Sequence, residues 1–419
     1  MEPQQEYKLE YLKTLFKSLD FTWLEEILII VNRIEKPWFF VGGCVRDSLL
    51  GLKTKDIDIT TLATPEEIKS YFPNFNLCLI GQRFGTIGIF YKGFEIQITT
   101  TRADITTYGR SADVKFLTSF EEDSFRRDFT INGLMFRNNI LVDYNGGISD
   151  LLNQTLRFIK DPEKRIQEDY LRIIRYIRFF ARFSKNEISG YREIIEKNLE
   201  GLKKVNIERI IMEIFSMAKN PNTELAIEMM NSFGISKFVF SKNLEVLKIK
   251  NLDLDLDLDP DRKMAFIFSK FPWSEIKKLP LQKKHRKLIS IIQDGVFEKI
   301  ESDENIIIKI ANLWNKYHNL EDVRIFFKLQ EDYFSIIQTK FPNNFPLKNF
   351  LNKLENNMSE FQKISTGLID QFLPKERSYI SFLIKYLYLK NIFNNSNNPI
   401  IITKEDILRT LEKFPKKIS

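Results

Sequence analysis

Up to about residue 160 the apolar positions of this chain follow mixed rhythms, and after Asp161 they follow one. Trp38 to Val41 is an apolar run ended by Gly42 and Gly43, and Ile57, Asp58 and Ile59 alternate, so both segments read as strands. Gly85 to Tyr91 and Phe94 to Thr100 read as a hairpin about Lys92-Gly93. Thr64-Pro65-Glu66-Glu67 is a capping box with proline at the first helical position, opening a helix toward Tyr71. Beyond Asp161 the spacing settles at three and four, which predicts helices nearly to the end of the chain. Breaks are expected at Asp253 to Asp261, Pro342 to Pro346 and Asn394 to Pro399, and no internal repeat is evident.

Asp56 and Asp58 stand two apart on one strand and so face the same side. That suits magnesium, because two hard cations held ~3.5 to 4 Å apart by shared carboxylates can activate an attacking hydroxyl and neutralise a triphosphate in one in-line displacement. Gly42 and Gly43 let backbone N–H groups approach phosphate where a helix begins. Either half alone is commonplace. Strand, glycine pair, helix and DxD strand, all within Trp38 to Thr61, form a much more specific unit. Further on, Arg172, Arg175, Arg178 and Arg182 form a charged stripe opposite Leu171, Ile174 and Ile177, which in isolation reads as a solvated helix face. Glu121-Glu122-Asp123, just ahead of Arg126-Arg127-Asp128, likewise reads on its own as a surface ion network.

GGCVRDSLLG followed by KDIDITT resembles the catalytic signature of polymerase-β-like nucleotidyltransferases, specifically class II tRNA nucleotidyltransferases (CCA-adding enzymes) and bacterial poly(A) polymerases. Four further blocks follow in the family's order: FRRDFTINGLMF from Phe125, DYNGG from Asp143, EDYLRIIRYIRFFARF from Glu168 and IERIIME from Ile207. Beyond about residue 240 only a helical pattern remains. The resemblance implies an α+β fold, with a catalytic head of small mixed or antiparallel sheet and helices over residues 1–160. It also implies an all-α neck (161–225), body (226–335) and tRNA-binding tail (336–419). The implied reaction is attack of a tRNA 3′-hydroxyl on the α-phosphate of CTP, twice, and then of ATP, with no nucleic-acid template and with two Mg2+ ions on Asp56 and Asp58.

By family position, Gly42, Gly43 and Arg46 hold the triphosphate and Asp47 positions Arg46. Arg127 reaches the nucleotide, Asp128 touches the ribose, and Asn132 supports that pocket. Asp169 and Arg172, one helical turn apart, read the base, while Arg175 and Arg178 lie near the nucleotide. The selection has a physical basis: an Asp accepts from an exocyclic amine and an Arg donates to the ring nitrogen beside it. Cytosine and adenine both present that edge, whereas uracil and guanine present a carbonyl there.

One position departs from the family. The strand FEIQITTTR places Gln97 where relatives carry a third carboxylate, with Glu95 two residues away on the same face as a substitute. Ala103 to Phe116 has the length of the flexible loop found in relatives that add the complete CCA. Poly(A) synthesis, CC-only or A-only addition, and an inactive RNA-binding relative remain as alternatives. The Leu/Asp alternation at Asp253 to Asp261 is not an EF-hand, because Leu258 and Met264 occupy the glycine and glutamate positions. Two histidines, His285 and His318, cannot furnish the HD phosphohydrolase domain of some relatives.

Composition changes this picture little. A chain of 419 residues with 43% hydrophobic residues can bury a core. Net charge +7 fits a polyanionic partner such as tRNA, and Lys277 to Lys287 is equally consistent with a phosphate contact and a solvated helix. Two cysteines exclude a disulfide framework. With no run of about eighteen apolar residues and no apolar leader, a cytoplasmic location and no membrane partner are expected. The oligomeric state is not legible.

Overall fold

Isoleucines on alternate residues of three adjacent strands put one face of a sheet into the core and leave acids and amides on the other. The computed structural model describes residues 5–108, 111–116, 119–246, 259–294, 303–317, 325–326, 361, 365, 368, 377–393 and 402–413. The chain divides into two compact units, Met1–Leu244 and Glu245–Ser419.

The first unit contains β1 (Gln5–Lys8), β2 (Trp38–Val41), β3 (Asp56–Thr61), β4 (Leu77–Cys78), β5 (Thr86–Tyr91), β6 (Phe94–Thr100), β7 (Arg102–Tyr108), β8 (Ser111–Phe116), β9 (Met135–Arg137) and β10 (Ile140–Asp143). Eight of these make a mixed sheet in the order β1-β10-β9-β2-β3-β6-β5-β4. Ile57, Ile59, Ile87, Ile89, Ile96 and Ile98 are all buried on its core side. Between β2 and β3 lies α1 (Gly43–Leu49), and the crossover from β3 to the parallel strand β6 begins with α2 (Pro65–Tyr71). The Thr64 capping box is fully formed, with Glu67 N–H donating to Thr64 Oγ1 at 3.2 Å and Thr64 N–H donating to Glu67 Oε2 at 2.8 Å. The β5–β6 hairpin turns at Lys92 and Gly93, both at positive φ, as a two-residue turn with the twist of its strands requires.

Where the sequence suggests a flexible loop over Ala103 to Phe116, β7 and β8 pair as an antiparallel ribbon separate from the main sheet. The run Ile105, Thr106, Thr107 supplies the β-branched residues that favour a pleated backbone.

Downstream, α3 (Phe120–Phe125), α4 (Pro162–Glu168), α5 (Leu171–Phe183) and α6 (Ile207–Ala218) bear on the site. Asp169 and Arg172 do not share a helix, as the block resemblance suggests they should. α4 ends at Glu168, Asp169 is extended at φ −150°, and Tyr170 is the N-cap of α5. One local and one distant interaction hold the break: Asp169 Oδ1 accepts from Leu171 N–H at 3.2 Å, and the Tyr170 ring sits on Gly201, where a Cβ would lie 1.9 Å from a ring carbon. On α5, Leu171, Ile173, Ile174, Tyr176, Ile177 and Phe180 are buried, with Tyr176 in a ring cluster with Phe129, Phe158 and Tyr191.

In the second unit all regular structure among the described residues is helical, from Pro260–Ile267 to Lys404–Lys413. Pro260 opens its helix as expected, and His285 is buried against Asp261 at 2.8 Å. His318, the stretch 253–258 and the expected breaks at Pro342 to Pro346 and Asn394 to Pro399 lie outside the described residues. Among the described residues no helix is long and apolar enough to cross a membrane.

Candidate active site

β2 delivers the chain to Gly42, whose φ of +73° is the left-handed conformation that favours glycine. Space closes the position further, because a Cβ there would lie 3.1 Å from Arg127 Nη1 and 3.7 Å from Asp58 Oδ2. One turn into α1, Arg46 is buried. It donates from Nε to Asp47 Oδ1 at 2.8 Å and from Nη1 to Asn132 Oδ1, so Asp47 holds Arg46 rather than lining the cleft itself.

On β3, Asp56 is exposed and Asp58 half-buried, both on the face away from the isoleucine core. Parallel pairing with β6 sets Asp56 opposite Glu95 and Asp58 opposite Gln97, and Gln97 Nε2 donates to Glu95 Oε1 at 3.0 Å. Burial raises the pKa of the Asp58 carboxyl, and Asp56 and Glu95 add to the rise against the pull of Arg127 and Arg46. An acid pushed up in this way gains from a neighbouring cation.

The segment after α3 supplies the next wall. Asp123 is fully buried, not part of a surface network: its carboxylate accepts from Arg126 Nε at 2.7 Å and Arg127 Nη2 at 3.3 Å. Burial would raise its pKa, but these two guanidiniums bring it below the usual carboxylate value. Arg165 on α4 reaches the carbonyls of Arg126 and Arg127 at 2.5 and 2.6 Å, fixing the backbone of that turn. Asp128 is also buried, but Arg175 at 2.6 Å, the Asn132 amide at 2.8 Å and the Phe129 N–H at 2.9 Å hold its carboxylate well below the ordinary range.

Each arginine of the α5 stripe is tethered to an acid, Arg182 to Asp47 at 3.2 Å. Arg172 donates to Glu168 Oε2 and the Arg165 carbonyl, both at 2.7 Å. Arg175 bridges Asp128 and Glu213, and Arg178 pairs with Glu213 at 2.6 Å. Asp169 is gripped by Arg209 of α6, which donates from Nη2 to Oδ2 at 2.7 Å and from Nη1 to Oδ1 at 3.4 Å.

These groups converge on a cleft of about 380 Å³. Its lining includes Gly42, Gly43, Arg46, Asp58, Arg127, Asp128, Asn132, Asp169, Arg172 and Arg175 from the sequence reading, together with Arg126 and Phe179. Asp56, Asp47 and Arg178 are not in the lining. Sequence reasoning missed Asp123, Arg126, Phe179, Arg209 and Glu213 as parts of the site. Arg209 and Glu213 had a signal, since both fall in the IERIIME block. Nothing in the run Glu121-Glu122-Asp123 marks the third acid as the buried one.

Residues 38–157 match the family described as Poly A polymerase head domain. The chain is 34% identical over 231 residues to the mitochondrial CCA tRNA nucleotidyltransferase 1 of Mus musculus, an alignment covering 54% of this chain and 53% of that protein. It is 32% identical over 281 residues to a CCA-adding enzyme of Staphylococcus aureus, covering 66% of this chain and 69% of that one. The chain belongs to the CCA-adding enzyme family. It spans about half the length of the mitochondrial relatives it matches. The crystal structure of the Bacillus stearothermophilus CCA-adding enzyme in complex with CTP superposes with a TM-score of 0.63 over 94% of this chain and 97% of that one, at 21% identity. That likeness establishes a shared fold: a polymerase-β-like head with mixed sheet, followed by helices.

Proposed function

We propose that this family member adds CCA to the 3′ end of tRNA from CTP and ATP, without a nucleic-acid template. The reading rests on one observation: a single cleft gathers an acid of the DxD pair, phosphate-type cations around a glycine turn, and an Asp and an Arg suited to a base edge. In each cycle the tRNA 3′-oxygen forms a bond to the α-phosphorus and the bond to the pyrophosphate oxygen breaks. Gly42, Gly43, Arg46 and Arg127 bind the triphosphate and stabilise the charge on the leaving pyrophosphate. Asp47 and Asn132 orient Arg46. Asp128, fixed by Arg175 and Asn132, faces the ribose. Asp169 and Arg172 address the base, with Arg175 and Arg178 beside the nucleotide. Residues past 160 act as the neck, body and tail that gauge tRNA shape, because duplex RNA hides its base edges in a deep groove.

Mg2+ fits the donor set. Asp56 and Asp58 offer hard oxygens on one strand face, and burial beside Asp56 and Glu95 raises the Asp58 carboxyl despite Arg127 and Arg46. Asp56 and Asp58 are the assigned ligands from their shared strand face, and among the described residues no three His, Cys, Asp or Glu side chains converge as a metal cluster. When bound, the metal lowers the pKa of the attacking hydroxyl and neutralises phosphate charge. Glu95, in register with Asp56, is the third carboxylate in place of Gln97. Glu95→Gln is therefore expected to slow single-turnover transfer by about 10²-fold, with Gln97→Ala changing it little. The opposite ranking would assign completion of the site to Gln97 or a water it holds. The two free cysteines suit a reducing compartment, and we assign the protein to the cytoplasm.

Three tRNA substrates separate complete addition from the alternatives: one lacking all three terminal nucleotides, one lacking only the final A, and one complete, each given single labelled nucleotides. Two C additions on the first and one A on the second, with none on the third, are expected. Continued A addition on any substrate would indicate poly(A) synthesis, and no incorporation would indicate an inactive relative.

A further inference from the structure

The arginine stripe of α5 runs beside an aromatic one that the mechanism above does not use. Phe179 and Phe183, one turn apart, stack with centroids 5.8 Å apart at 24°. The guanidinium carbons of Arg178, Arg46 and Arg175 lie 4.2, 5.2 and 5.3 Å from the Phe179 centroid, and those of Arg46 and Arg182 lie 4.4 and 4.7 Å from that of Phe183. Phe179 itself is 5% exposed and lines the cleft. Three cations that come from two separate helices thus meet on one ring.

We infer that Phe179 is a positioning residue for the triphosphate subsite, its π face holding Arg46, Arg175 and Arg178 in a fixed fan before a nucleotide arrives. Like charges this close repel, and desolvation compounds the cost. Burial, with Arg175 and Arg46 nearby, brings the Arg178 guanidinium down to about 10 even though Glu213 opposes the shift. The negative face of an aromatic ring attracts guanidinium and does so most strongly where water is excluded. Asp47, Asp128 and Glu213 take one edge of these guanidiniums, while the ring sets their planes. Without the ring, each long side chain would have to be ordered by the incoming phosphates, and that ordering subtracts from affinity. The base subsite at Asp169 and Arg172 has its own tethers to Arg209 and Glu168, so the ring's influence falls on the phosphate side of the site and not on the base.

This inference rests on the nucleotide-site reading, and the experiment separates the two. Phe179 is replaced in the full chain by 4-fluoro-, 3,5-difluoro- and 3,4,5-trifluorophenylalanine, which withdraw electron density from the ring face with little change of volume. Binding of CTP and of inorganic tripolyphosphate is then measured by calorimetry in magnesium buffer. Both dissociation constants are expected to rise together along the series, by about 10-fold at its end. Flat affinities across the series in a protein that binds both probes would overturn the role of the ring alone. So would a rise for CTP without one for tripolyphosphate, since the ring would then serve the base or sugar. Failure of the unsubstituted protein to bind either probe would instead remove the nucleotide-site reading.

Discussion

Asp58→Ala is expected to lower nucleotide transfer by about 10³-fold or more while leaving tRNA affinity nearly unchanged. The asymmetry follows from where the side chain stands. Asp58 is the member of the DxD pair that lines the cleft, on a strand whose neighbouring isoleucines Ile57 and Ile59 carry the packing. Alanine therefore removes the proposed metal ligand without opening the core. It also removes no phosphate contact to RNA, the kind of interaction that dominates nucleic-acid affinity. Near Gly42, where a Cβ would meet Arg127 and Asp58, nothing bulkier takes the place of the carboxylate. Single-turnover extension of tRNA lacking its terminal CCA, alongside filter binding of the same tRNA, gives both quantities. Incorporation comparable to the unsubstituted protein would remove Asp58 from the metal site and with it the two-carboxylate account of transfer.

The parts of the site legible in the sequence are those whose geometry is local. A glycine pair at a strand end, a short helix and a DxD strand lie within twenty or so residues, and each step leaves a sign that period and turn chemistry can read. The capping box at Thr64 and the turn at Lys92-Gly93 are legible for the same reason. The break at Asp169 is not. No proline or glycine marks it, and what holds it comes from elsewhere in the chain: Gly201 receives the Tyr170 ring and Arg209 grips the carboxylate. The burial of Asp123 is equally hidden, because three consecutive acids look alike until α3 turns one of them toward Arg126 and Arg127. The pairing of Asp56 with Glu95 depends on the register of a parallel crossover, which no local pattern encodes. Phe179 reads as an ordinary core residue of an amphipathic helix, and only the arrival of Arg46 from α1 gives its ring a second part.

The central claim is that protein side chains stand where a template base would, and Asp169 tests it most directly. Its carboxylate lines the cleft, extended between two helices, with Arg209 holding both oxygens in place. Arg172 lines the same cleft and is fixed independently by Glu168 and by main-chain carbonyls, so removal of Asp169 leaves its partner in position. A good bidentate contact to a base edge is worth ~1 to 3 kcal/mol of discrimination, or roughly 5- to 200-fold at 1.4 kcal/mol per decade. The measurement is competitive incorporation of the four nucleoside triphosphates by Asp169→Ala on tRNA lacking its terminal CCA. The account predicts that the preference for CTP and ATP over UTP and GTP falls by roughly 5- to 200-fold while transfer itself continues. An Asp169→Ala protein that transfers nucleotides and retains the full preference would contradict it, and the arginine stripe of α5 would then be an RNA-facing surface with selection carried elsewhere.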